Sequence, residues 1–206
     1  TLLTREIDIF LGFSWRDWSA TLIPGSLFSM GAMLALPHTI DIFHRYLYLI
    51  LWLTAFIYFF DLSNQITGME EDRINKPDRP LPSGKVTIAG AKKRWLFSLL
   101  AFLSITLYHP TLLTETITWI ITVYILEATP FGDHWLVKSS LAMGAGTWAL
   151  LRGSWKAIAP LTPLAERYVL AMSLWTVLLT HIQDLRDIKG DAATGRQTLP
   201  IAVGDS

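Results

Sequence analysis

The chain has 206 residues, enough for one domain, and its 17 basic and 17 acidic side chains cancel, so no bulk charge draws it to nucleic acid or to an acidic surface. It is 51% hydrophobic, with nine Trp, ten Phe and six Tyr, and its mean hydropathy of +0.38 lies above the soluble norm. It has no Cys, which excludes a disulfide framework, a Cys-ligated zinc site and a thiol nucleophile. The first residue is Thr1, and the first apolar stretch lacks the basic flank and cleavage site of a signal peptide. The chain stops at Ala202-Val203-Gly204-Asp205-Ser206, soon after its second acidic cluster, so a longer parent chain is expected.

Six apolar runs follow in order, at 20–36, 46–60, 95–108, 111–126, 135–151 and 164–181. Several fall short of the ~20 residues that span a bilayer. Short runs work where Trp, Tyr or snorkelling Lys and Arg flank them. Trp18, Trp52, Trp95, Trp119 and Trp135 stand at or near run ends, where an aromatic belt would lie. The pattern predicts an all-α, multi-pass transmembrane bundle of six helices, as one domain over residues 1–206. The fourth run is polar at its start, with Thr111, Thr114, Glu115, Thr116 and Thr118. His109-Pro110 makes a tight turn between runs three and four, whereas the connection between runs two and three is long, and long connections are usually functional.

If the six helices alternate, the N-terminus, the loops after runs two and four and the tail after run six share one side. That side holds 12 of the 17 basic residues: Arg5, Arg16, Arg73, Lys76, Arg79, Lys85, Lys92, Lys93, Arg94, Arg186, Lys189 and Arg196. The excess of positive charge predicts that this side is cytoplasmic.

Two acidic clusters lie there. Asn64, Gly68 and Asp72 are spaced i, i+4, i+8, and Asp184, Asp187 and Asp191 are spaced i, i+3, i+7, so each set lines one helix face. A lone carboxylate at a membrane helix end is usually just solvated. Two columns of oxygen ligands on one side are a good way to hold Mg²⁺ on a diphosphate, because Mg²⁺ takes a few carboxylates, several waters and substrate phosphate. The chemistry expected is ionisation of an allylic diphosphate, with metal and nearby cations stabilising the departing charge. Candidate cations are Lys76, Arg79, Lys189 and Arg196. Pro77, Pro80 and Pro82 would hold the first two in place, although the same stretch also reads as an ordinary proline-rich turn. The isoprenoid cation needs a dry cavity lined by aromatic faces, each worth ~0.5–2 kcal/mol. Lys138, a few residues into run five, is either a snorkelling side chain or a diphosphate ligand. Glu127 ends run four on the same side. His181, one turn before Asp184, is placed to hydrogen-bond it, and Gly144 and Gly146 mark a close helix approach or a substrate contact.

At these residues the chain resembles the UbiA superfamily of intramembrane prenyltransferases. That family looks like nine helices around a central cavity, with an N-D-x-x-D-x-x-x-D motif after helix two and D-x-x-x-D after helix six. The I-N-K-P-D-R-P-L-P-S-G stretch from Ile74 and the G-R-x-T-L-P stretch from Gly195 are specific flanks. The resemblance implies that Asn64, Asp72, Asp187 and Asp191 are catalytic, and that they bind Mg²⁺ together with Asp184 and Glu71. It implies a prenyl diphosphate substrate within the lipid bilayer, possession of three further C-terminal helices, and transfer of the prenyl group to an aromatic or other small-molecule acceptor. Gln65 and Gly68 stand where the family usually has Asp. A fungal-like branch that includes membrane-bound terpene cyclases resembles this N-x-x-x-G-x-x-x-D form, so cyclisation is the alternative outcome. A transporter, or a metal-free inactive relative, is a rival reading; the acidic residues cluster at one interface rather than at mid-bilayer, which disfavours the transporter.

Overall fold

A computed structural model describes residues 1–36, 41–193, 195 and 198–204, with the side chains of residues 183, 184, 186, 187 and 203 outside the description. Every regular element among the described residues is helical. In order they are α1 (Leu2–Ser14), a 3₁₀ segment (Trp15–Ala20), α2 (Leu22–Leu34), α3 (Ile42–Thr67), α4 (Met69–Asn75), α5 (Ile88–Tyr108), α6 (Leu113–Ala128), a π-helical segment (Leu136–Ala142) running into α7 (Met143–Ile158), α8 (Pro163–Leu179), α9 (His181–Ala193) and α10 (Leu199–Val203), with two further short 3₁₀ turns before and after α6. Side-chain caps start three of the long ones. Asp41 accepts from the His44 N–H at 3.1 Å, Thr87 from Gly90 N–H at 3.1 Å, and Thr162, just before Pro163, from Ala165 N–H at 3.1 Å.

All six apolar runs fold as helix. Two stretches, Ile42–Thr67 and Pro110–Ala128, are long and apolar enough to cross a membrane by length and composition. Of the others, α2, α7 and α8 have 13, 16 and 17 residues, and α5 carries Lys92, Lys93 and Arg94 in its first two turns.

The core lies where α3, α5, α6 and α7 meet. Phe56 and Trp119 stack with ring centroids 4.5 Å apart, and Trp52 and Phe102 pack beside them. The belt expectation is therefore corrected for two residues. Trp52 and Trp119 are 0% and 4% exposed and lie in the middle of α3 and of α6, on the faces turned to the core. Their indole N–H groups donate to Thr116 Oγ1 and to the Phe56 carbonyl, both at 3.0 Å. Much of the aromatic content thus fills a solid core. Two glycines of α7 make room for it. A Cβ on Gly153 would lie 2.5 Å from the Trp52 ring, and one on Gly146 2.5 Å from that of Trp119. Gly144 approaches Val177 of α8 in the same way, so close helix approach accounts for both glycines of that run singled out from sequence.

The polar start of run four is satisfied internally. Thr116 also bonds Thr106 at 2.8 Å. Glu115, fully buried, accepts from Arg152 and, at 2.9 Å, from Lys156, while Arg152 also reaches Glu166 at 3.0 Å. No apolar run announces α1, because it is two-sided. Ile9 and Phe13 are buried, while Glu6 pairs with Arg94 at 2.5 Å and Asp8 with Lys85 at 3.0 Å.

Candidate active site where α4 meets α9

The helix carrying the first cluster breaks at Gly68. Its N–H still bonds the Asn64 carbonyl at 2.8 Å, but its backbone (φ −87°, ψ 19°) leaves the α-helical path and α4 starts anew. The column Asn64–Gly68–Asp72 is therefore not carried on one straight helix. α4 packs against α9, which brings the first cluster to the helix that bears the second.

Asn64 is half-buried at the end of α3. Gln65 turns the other way: it is fully buried and its Nε2 donates to the Phe13 carbonyl at 3.0 Å. Glu71 and Asp72 are 7% and 3% exposed. Both oxygens of Asp72 accept from Arg79 Nη1, at 2.9 and 2.7 Å, and Lys76 Nζ lies 4.0 Å away. Burial nevertheless pushes the Asp72 carboxyl above the usual carboxylate range; Arg79 and then Lys76 pull it back only in part. Arg79, which sequence reasoning offered as a diphosphate ligand, is buried and engaged by Asp72, with Asp17 at 3.8 Å. The neighbouring Asp78 is exposed and paired with Arg16 at 2.5 Å, whose hydrogen bond holds it below the usual range. The segment after the first cluster is thus strapped to the N-terminal helices by Arg16, Asp17, Asp8 and Glu6.

On the second side, Asp191 is 1% exposed and lies 3.8 Å from Lys138 Nζ. The π-helical turn, a form frequent at functional sites, presents Lys138 to this cluster. It also presents Ser140, which shares a 2.9 Å hydrogen bond with His181 Nε2, while the His181 ring stands edge-on to Trp135. Lys189 is exposed. Asp184 and Asp187 sit on α9, but their side chains lie outside the description, and Arg196 lies outside the described residues altogether.

A cavity of about 430 Å³ opens beside the first cluster, lined among others by Gly68, Glu70, Glu71, Glu127 and Asp133. Thr67 donates its hydroxyl to Glu127 on this wall. A larger, apolar groove of about 660 Å³ lies at the far end of α2 and α3, remote from these carboxylates. Among the described residues, no three acidic or His side chains converge into a closed metal cage. The donors present are all hard oxygens, which fits a cation held by one or two carboxylates, water and substrate phosphate. Sequence reasoning missed Asp17, Asp61, Asn75 and Ser140. Asn75 stood in the flank that starts at Ile74, and Asp61 left a signal of its own, a carboxylate immediately after an apolar run; Asp61 is buried, one turn before Asn64, and within electrostatic reach of Asp17 and Arg79.

The class comes first from the backbone: this is the all-helical fold of a solved structure from work on digeranylgeranylglyceryl phosphate synthase in membranes, which superposes with a TM-score of 0.61 over 96% of this chain and 69% of that one, at 24% identity. The UbiA prenyltransferase family matches residues 22–206, and the chain belongs to that family, whose members are integral to membranes and generally use a divalent metal. The diterpene cyclase eriG of Hericium erinaceus is 59% identical over 203 residues, covering 98% of this chain and 66% of the relative. The polyprenyl transferase eriF of the same fungus is 55% identical over 205 residues, 98% of this chain and 71% of the relative. The somaliensene A/B synthase of Streptomyces somaliensis is 36% identical over 208 residues, 98% of this chain and 67% of the relative. The chain thus spans about two thirds of the length of these relatives.

Proposed function

We propose that this chain is the diphosphate-binding part of a membrane enzyme that ionises an isoprenyl diphosphate and passes the prenyl group to an acceptor. The observation that carries the reading is the packing of α4, with Glu71 and Asp72, against α9, with Asp191. Asn64, Glu71, Asp191 and the Arg79-held Asp72, with Asp184 and Asp187 of α9, would hold Mg²⁺. Bound Mg²⁺ would neutralise the diphosphate as its C–O bond breaks. Lys138 and Lys76 stand beside Asp191 and Asp72 and would bind the phosphate oxygens directly. Arg79 acts one step back, holding Asp72 in place. With six alternating membrane spans, the excess of basic residues on the cluster side would turn both clusters to the cytoplasm.

Cyclisation of the prenyl chain is a second reading, and two observations favour it. Gln65 occupies a usual Asp position and is bonded into the core, away from the clusters. A diterpene cyclase is among the most similar relatives. Mass spectrometry of products from membranes holding the full-length protein, given prenyl diphosphates of several lengths with and without an aromatic acceptor, separates the two. A prenylated acceptor supports transfer; a cyclic hydrocarbon formed without acceptor replaces transfer with cyclisation; intact substrate under both conditions removes the ionisation reading itself.

A further inference from the structure

Gly190 lies inside α9, immediately before Asp191, with no left-handed backbone to require glycine there. A glycine inside a helix costs about 1 kcal/mol relative to Ala. The contact that needs it is Asn75, the last residue of α4 and three positions after Asp72. A Cβ on Gly190 would lie 2.1 Å from Asn75 Nδ2, 2.6 Å from Cγ and 2.8 Å from Oδ1. The Asn75 carboxamide therefore rests on the backbone of α9 beside Asp191, whose carboxylate has Lys138 at 3.8 Å. A neutral amide with two donors and an acceptor can sit between two acidic clusters without adding charge. Its single methylene also sets a short, stiff reach, and the missing Cβ opposite lets the two backbones close on it.

We propose that Asn75 seated on Gly190 is the positioning contact that fixes the spacing between the carboxylates of α4 and those of α9, and so the geometry in which both reach one magnesium-bound diphosphate. This rests on the functional reading above. Supporting groups of this kind typically alter metal affinity about 10- to 100-fold when removed.

The test is a mutant cycle in the full-length, detergent-solubilised protein: Asn75→Ala, Gly190→Ala and both together. All three atoms nearest to the new Cβ belong to the carboxamide that Asn75→Ala deletes. Gly190→Ala alone should lower the unfolding temperature, and the double variant should recover to the level of Asn75→Ala. The second readout is the Mg²⁺ concentration giving half of the thermal stabilisation by inorganic pyrophosphate, which needs no turnover. Asn75→Ala and the double variant should both require about 10- to 100-fold more Mg²⁺, while Asn75→Gln should restore little because its amide cannot occupy the same seat. A Gly190→Ala protein as stable as wild type, or a double variant no better than Gly190→Ala, overturns the contact. Wild-type Mg²⁺ dependence in Asn75→Ala overturns the positioning role. Pyrophosphate release from prenyl diphosphates is measured separately: its absence in wild type, with the thermal differences intact, would remove the ionisation reading and leave the interlock standing.

Discussion

Arg79→Met tests how Asp72 is held beside the cavity. Both groups are almost wholly buried, at 6% and 3% exposure, and two charge-assisted hydrogen bonds of 2.7 and 2.9 Å join them. Burial, with a smaller push from the Glu71 charge, raises the Asp72 carboxyl, and Arg79 is the largest influence opposing it. Removing one partner of a buried ion pair costs about 3–5 kcal/mol, because the other charge is left without compensation. Removing both charges costs far less, so Asp72→Asn with Arg79→Met should recover most of the loss, giving a coupling of about 2–3 kcal/mol in the cycle. The pH dependence has a definite sign. A carboxyl raised in the folded state contributes stability that is fully present below its unfolded pKa and is lost as pH rises through the higher folded value. Arg79→Met should therefore steepen the loss of stability with rising pH, and the double variant should flatten it. Unfolding of the solubilised protein, followed by tryptophan fluorescence between pH 4 and pH 8 (a window on the order of the carboxylate-to-neutral range), measures both. A loss below about 1 kcal/mol in Arg79→Met, or a double variant no more stable than the single, would refute this account of Asp72.

Other substitutions probe the frame around the site. Gly153→Ala forces a methyl to 2.5 Å from the Trp52 ring and should destabilise by about 1–3 kcal/mol in the same assay; an unchanged midpoint would mean that α7 can shift freely. Glu115→Leu leaves Arg152 and Lys156 facing one another with Glu166 alone to compensate, and should cost about 3 kcal/mol or more; stability equal to wild type would show the network to be dispensable. Gly68→Asp restores the family's usual residue but sets its Cβ 2.9 Å from the Asn64 carbonyl oxygen, at the helix break. It should lower the unfolding temperature without lowering the Mg²⁺ requirement, and tighter Mg²⁺ binding in a stable Gly68→Asp protein would contradict the strain.

Local periodicity located the six apolar helices and both clusters, because apolar runs and acidic columns are written in neighbouring residues. What stayed hidden depends on pairings distant in sequence. Trp52 and Trp119 look like interfacial anchors until Phe102 of α5 and Phe56 of α3 are seen to enclose them in the core. The polar start of α6 looks unsuited to a span until Thr116 finds Trp52 and Glu115 finds Arg152 and Lys156. Arg79 reads as a free cation for phosphate because nothing local says that Asp72 and Asp17 will enclose it. The helix break at Gly68 was legible as a missing carboxylate but not as a change of path. Asn75 against Gly190 pairs residues far apart in the sequence and leaves no periodic trace.

The most direct test of the joint site is Mg²⁺-dependent pyrophosphate release from prenyl diphosphates by the full-length protein in membranes, comparing wild type with Asp191→Asn and Asp187→Asn. Release that needs Mg²⁺, stops on chelation and falls at least about 100-fold in each variant, with membrane insertion unchanged, is the predicted result. Wild-type release in either variant, or release indifferent to Mg²⁺, would contradict it.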